Sequence, residues 1–293
     1  KVVYQVFPDN SVRFANLRAG TTDITEYLAP TDVAAVKADP RLKLAVSDAL
    51  GYIGLVNNLN LGPRSDTPYG KNALVRAALD AAIDRTALVN VVFNGMFAPN
   101  VQPVAPNSPF YDETLTPPPR DLGKAKTLLR QAGVTPPVSL ELLAPNQPDS
   151  LQVAEVIQSM AAEAGFDIHI VAMEMTAAGQ VEQRGDYQTY LSGWSGRVDA
   201  DGNTFQFLHS DQGNNFTGYS NPAVDSLLEQ GRATTDTGER RVLYQQVWEV
   251  LRRDLPITFL YSPRNIVAMT AKLSGFRQVP DGMIRIQGME MAK

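Results

Sequence analysis

The chain has 293 residues, 44% of them hydrophobic and 19% charged, with a net charge of −5 and no cysteine. That is ordinary globular composition, long enough for one large core or two smaller ones, and it excludes collagenous, disordered and disulfide-scaffold classes. No cluster of five Lys/Arg marks a nucleic-acid or anionic-membrane surface, and no apolar run approaches the roughly 20 residues of a membrane span.

In chain order, "KVVYQVF" alternates like a strand, and "SVRFANLRAGTTDITEYL" reads as a short helix, a glycine stop and a strand ending at Pro30. "PTDVAAVKADP" is a short helix that Thr31 or Asp32 can cap, with Pro40 past its end. "LKLAVSDALGYIGLVNNLNL" supplies extended, apolar segments. In "KNALVRAALDAAIDRTALVNVVFNG", Leu74, Ala78, Ala81 and Ala82 recur at helical spacing, and Arg76 stands four residues before Asp80 as a helix-face pair. Thr86 is the candidate cap of a second helix that stops at Gly95. The proline-dense stretch from Ala98 to Arg120 excludes regular helix and predicts a long surface excursion.

Beyond it, "DLGKAKTLLRQAG" is a helix capped by Asp121 and stopped by Gly133. The strand "VSLELL", the helix "DSLQVAEVIQSMAAEAG" and the strand "FDIHIVAMEM" make a βαβ succession, the mark of a sheet covered by helices. "DYQTYLSGW" is a further strand, and it delivers the loop "SGRVDADGN" at its C-terminal end, where open α/β sheets hold ligands. Asn221 with Pro222 opens one late helix, and Asp236 with Glu239 forms a capping-box pair at the start of another. "LPITFLYS" is a buried strand.

Metal, nucleophile and nucleotide signatures fail in turn. Counted from Asp199, a calcium loop needs Gly at position 204 and Glu at 210, which are Thr204 and Ser210. His169 and His209 are the only histidines and there is no thiol, so no zinc set forms, and His169 reads as a partly covered strand residue. "GWSGR" has Arg197 where a nucleophile elbow needs glycine. Asp199 and Asp201 could pair as in glycoside hydrolysis, but Asp in a glycine-flanked loop commonly serves the turn. Neither phosphate-cradling glycine motif occurs. What remains is recognition: Trp194 is a flat apolar wall, Arg197 a planar cationic fork for carboxylate or phosphate, and Asn203 a polar anchor. The competing reading is a turn with Trp194 in the core and Arg197 in solvent.

The stretches "NALVRAALDAAIDRTALVNVVFNG", "DLGKAKTLLRQAG", "NFTGYSNPAVDSLLEQ" and "GFRQVPDGMIRI" resemble, in the same order, those of the extracytoplasmic solute-binding proteins that serve dipeptide, oligopeptide and nickel ABC importers. The resemblance runs end to end and implies an α/β, periplasmic-binding-protein-like two-lobed fold. Family members are longer, so it implies that this chain is a C-terminal part, with one complete lobe and part of the other. Residues 1–55 and 256–293 would belong to the first lobe and 56–255 to the second, with hinge strands near "GLVNNLN" and "LPITFLYS".

In that family's peptide receptors an aspartate three residues after the tryptophan pairs with the peptide's amino group; here that place holds Arg197, which reverses the charge offered to the ligand. The expected ligand-binding residues are Trp194, Arg197, Asp199, Asp201, Asn203, Asn58, Tyr261 and Arg264, with Arg197 meeting an anionic group. For Asn58, holding hinge backbone is an equal alternative. The implied protein is a non-enzymatic monomer without cofactor or bound metal. It would be periplasmic or otherwise extracytoplasmic, taking a peptide or small-molecule ligand, and membrane-associated through an embedded ABC permease. No nucleic acid is expected. The alternative is the ligand-sensing module of a transcriptional regulator with the same binding fold.

Overall fold

A computed structural model describes residues 1–7 and 9–292. The first part of the chain runs α1 (Asn10–Ala19), β1 (Ile24–Thr25), α2 (Val33–Ala38), β2 (Leu42–Asp48) and β3 (Tyr52–Asn57). Then come α3 (Pro68–Lys71), α4 (Ala73–Ala82), α5 (Arg85–Phe93), β4 (Ala98–Pro99), α6 (Leu122–Gln131) and β5 (Val138–Pro145). Next are α7 (Pro148–Ala162), β6 (Phe166–Met173), α8 (Met175–Gln183), β7 (Thr189–Trp194) and α9 (Asp201–Leu208). The last part holds α10 (Pro222–Ala233), α11 (Thr237–Asp254), β8 (Ile257–Ser262), β9 (Arg264–Thr270), β10 (Leu273–Ser274) and β11 (Glu290–Met291).

Six strands form the larger sheet in the order β4-β8-β3-β7-β5-β6. Within it, β5, α7 and β6 make the expected crossover, with β5 parallel to both β6 and β7. Apolar side chains cover both faces. Leu55, Leu140, Leu142 and Leu191 meet α4, α5 and α7 on one face, with Val75, Leu79, Leu88, Val153 and Ile157 interleaved. Tyr52 and Phe259 meet α9, α10 and α11 on the other, through Phe205, Leu228, Val247 and Trp248. Each such side chain, fully buried, contributes about 1.5–3 kcal/mol. A second sheet, β1-β9-β2, packs its own cluster of Phe14, Leu17, Val33, Val36 and Ile266 under α1 and α2.

The chain passes between the sheets twice, at Ala49–Gly51 and at Pro263. These crossings touch: the Ala49 amide donates to the Pro263 carbonyl at 3.1 Å. Strands β3 and β8 thus belong wholly to the six-stranded sheet, so the changeovers fall just before "GLVNNLN" and just after "LPITFLYS".

Several local expectations are corrected. Residues 1–7 form no strand; no neighbouring strand pairs with them, and Val2, Val3, Tyr4 and Val6 are exposed. The α5 cap is Asp84, which accepts from the Ala87 amide at 2.9 Å, and Thr86 lies inside the helix. Neither Thr31 nor Asp32 caps α2 through its side chain, because a 3-10 turn over Pro30–Asp32 runs straight into the helix. Arg76 does not pair with Asp80. It is buried, and donates to the carbonyls of Tyr69, Gly70 and Asp254 at 2.6–3.1 Å, while Asp80 takes Arg85.

Nor is the proline-dense stretch a surface excursion throughout, since Val101, Val104, Ala105 and Phe110 are buried. Side-chain amides make that burial possible by satisfying the irregular backbone. Asn100 donates to Gln102 O, Val104 O and Ser262 Oγ and accepts from the Val101 and Gln102 amides. Gln102 in turn holds Asp112 N and O.

Candidate functional site

Strand β7 ends at Trp194 against the first crossing, and glycine makes the approach possible. A Cβ on Gly51 would lie 1.7 Å from Trp194 O, and one on Gly196 would lie 2.1 Å from the Leu50 carbonyl carbon. Gly196 also has φ +87°, which glycine adopts without strain. The loop then turns into α9, and buried Asn203 in the first turn ties it down. Its Oδ1 accepts from the Arg197 amide at 2.6 Å, while Nδ2 donates to Arg197 O at 3.3 Å and Leu50 O at 3.4 Å.

Trp194 is fixed at both ends. Its Nε1 donates to Gly202 O at 3.0 Å, and its ring meets Phe207 edge-on at 5.0 Å. Over it lies the Arg197 guanidinium, 4.5 Å from the ring centroid, a cation–π arrangement. Arg197 Nη1 donates to Gly196 O at 2.7 Å. Gly202 lets the aliphatic stem pass, since a Cβ there would fall 2.7 Å from Arg197 Cγ.

Both aspartates of the loop are already engaged. Asp199 takes Arg240 in a two-point pair, both contacts 2.7 Å. That hydrogen bonding holds the Asp199 carboxyl below the usual carboxylate range. Asp201 takes Arg232 at 2.7 and 3.0 Å, and the Arg232 guanidinium lies 3.4 Å over the Phe205 ring. The acids therefore clamp the loop to α10 and α11. Arg197 is exposed, and among the described residues no carboxylate pairs with it. The loop presents a positive fork on an aromatic plate.

The remaining predicted residues lie elsewhere. Asn58 is fully buried just past β3. Its amide nitrogen donates to Leu61 O, Gly185 O and Tyr187 O at 2.8–3.0 Å, and its oxygen accepts from the Leu61 amide at 2.8 Å. Tyr261 is buried against Phe93 and Phe97, on the sheet face opposite Trp194, and burial pushes its hydroxyl well up. Arg264 opens β9 and pairs with Asp48 on β2 at 2.7 Å. The structure thus brings five predicted residues onto one loop and helix start, and places Asn58, Tyr261 and Arg264 outside that group. Sequence reasoning missed Gly202, Arg232 and Arg240. The two arginines lie 31 and 41 residues from their partners, and nothing local announces the pairs.

Among the described residues, no group of three His, Cys, Asp or Glu could hold a metal ion, and no helix is long and apolar enough to cross a membrane. A cavity of about 730 Å³ opens between residues 1–7, the β1 region and the C-terminal segment, and none of the predicted site residues lines it. Part of its wall is the exposed strip Val2–Val6.

The family described as "Bacterial extracellular solute-binding proteins, family 5 Middle" matches over residues 1–216. The chain is 32% identical to Di/tripeptide-binding protein 1 of Pseudomonas aeruginosa, over 96% of this chain and 53% of that protein. It is 29% identical to Di/tripeptide-binding protein 3 of the same species, over 94% and 53%. The fold matches that of the oligopeptide-binding protein AppA from Bacillus subtilis, solved with a nonapeptide. The TM-score is 0.87 at 24% identity, over 98% of this chain and 60% of that one. The chain spans about half the length of the curated relatives it matches.

Proposed function

Since the chain belongs to family 5 of the bacterial extracellular solute-binding proteins, we propose that it is part of a solute-binding component of an ABC importer. The whole protein captures a peptide or other small solute, one that carries an anionic group, between two lobes. The six-stranded sheet and its helices form one lobe, and the β1-β9-β2 sheet contributes to the other. The crossings at Ala49–Gly51 and Pro263 are the hinge, a few residues able to absorb a change of backbone angle. The protein works outside the cytoplasm as a monomer, delivers its solute to a membrane-embedded permease, and contacts no nucleic acid.

One observation carries the ligand reading: among the described residues no carboxylate neutralises Arg197, which lies over a pinned Trp194 while both neighbouring aspartates are held by arginines. A guanidinium so placed favours a carboxylate or phosphate and repels a peptide ammonium. The engagement of Asp199 and Asp201 also supports binding without chemistry, because hydrolysis by a carboxylate pair needs both groups free to face the substrate. The relatives named above are binding proteins, which favours uptake over the sensing module of a regulator. Of the other three, Arg264 braces the crossings through Asp48, Tyr261 packs the sheet, and Asn58 holds the turn backbone of Leu61, Gly185 and Tyr187. The test is to denature full-length protein purified from its source and identify the released solute by mass spectrometry. A solute with a free carboxylate or phosphate is expected, and one lacking any anionic group overturns the reading.

A further inference from the structure

A second, smaller cavity of about 130 Å³ lies between α4, the start of α5, α6 and the end of α11, and Trp194 and Arg197 take no part in it. Asp80, Arg85, Lys124, Leu251, Arg252 and Ile257 are among its walls. Arg85 is only 2% exposed. Its Nε donates to the Phe259 carbonyl at 2.7 Å and its Nη2 to Asp80, but Nη1 is buried and finds no hydrogen-bond partner among the described residues. A buried cationic N–H without an acceptor is costly, and such groups in folded proteins are normally satisfied. The cavity that Arg85 lines is where the acceptor would sit.

The charges around it point the same way. Lys124 and Arg252 are exposed at its mouth, and among the described residues neither pairs with a carboxylate. Among the described residues Asp80 is the one acid in the wall, and Arg85 Nη2 already occupies it. The space is that of roughly four water molecules, room for an anion of a few heavy atoms and too little for a peptide.

We propose that this cavity binds a small inorganic oxyanion of the phosphate or sulfate class. Arg85 Nη1 donates to it from the floor, and Lys124 and Arg252 close over it as rim charges. The site is separate from the Trp194 loop, and it does not depend on the solute reading above.

The test is isothermal titration of full-length protein with inorganic phosphate, and separately with sulfate, at ionic strength held constant with sodium chloride. Saturable binding of at least one oxyanion is expected. The double variant Lys124→Gln/Arg252→Gln should weaken it about tenfold, as expected for two exposed charges, with an unchanged urea unfolding midpoint. Arg197→Ala should leave it unaltered. Three results each overturn the proposal: no saturable heat up to tens of millimolar, binding that the rim variant leaves undiminished, or binding that Arg197→Ala abolishes. The last would place the anion on the solute loop instead.

Discussion

Placing an alanine at Gly196 tests how the loop is built. Gly196 has φ +87°, and its missing Cβ would stand 2.1 Å from the Leu50 carbonyl carbon, 2.3 Å from Leu50 O and 2.4 Å from Gly51 N. All three are backbone atoms, so no side-chain rotation relieves the clash. The bridge between Leu50 and Gly196 must open, and the Asn203 bonds to Leu50 O and to the Arg197 backbone strain with it. The left-handed backbone alone costs about 1 kcal/mol for alanine, and overpacking a rigid contact adds about 1–3 kcal/mol. Gly196→Ala should therefore cost roughly 2–4 kcal/mol.

Gly20 is the control: its φ is +74°, but nothing lies within 4 Å of its missing Cβ. Gly20→Ala should cost only about 1 kcal/mol. Urea denaturation of both variants with unchanged slope measures the difference directly. Equal losses would mean that the loop is not seated on the crossing, and the reasoning about how Arg197 is held would fail.

Asn58→Asp should destabilise by about 3 kcal/mol or more, read as a fall in Tm, because it turns a carboxylate toward the carbonyls of Leu61, Gly185 and Tyr187. Glu182 titrates high, at about 7, because burial disfavours its charge. Its folded form binds a proton that the unfolded form has lost, so stability falls as pH rises from the ordinary glutamate range to about 7 and then levels off. Glu182→Gln should remove that slope and stabilise the protein at pH 8 by up to about 3 kcal/mol, measured by urea unfolding at pH 5 and pH 8. Asp199 shows the opposite sign: Arg240 lowers its pKa, so its contribution is present above the ordinary aspartate range and lost as pH falls through the lowered value. The pair is half-exposed, so Asp199→Asn should cost less than about 1 kcal/mol at pH 7, and the deficit should vanish at strongly acid pH.

What the sequence made legible was local. The caps at Asp121, Asn221 and Asp236 lie where their side-chain oxygens precede helical periodicity, and each accepts from an amide two or three residues on. The β5-α7-β6 unit carries strong alternation and a long periodic helix, signals that tertiary contacts seldom override. The misses needed distant partners. The alternation of Val2, Tyr4 and Val6 makes no strand without a neighbour to pair with. Arg76 forgoes the carboxylate four residues on because the end of α11 offers it a carbonyl 178 residues away. The aspartates at 199 and 201 look like ligand groups in the sequence, and only the fold reveals the arginines that occupy them. Trp194 and Arg197 were legible as an aromatic wall and a cationic fork, but their stacking and the lack of a carboxylate partner were not.

An unneutralised guanidinium on an anchored indole, Arg197 over Trp194, is proposed to select the anionic end of a solute. Titrating full-length protein and its Arg197→Glu variant with the solute released from the native protein tests it most directly. At least a 100-fold loss of affinity, about 2.7 kcal/mol, is expected, with the unfolding midpoint unchanged. Equal affinity in the two proteins would contradict it.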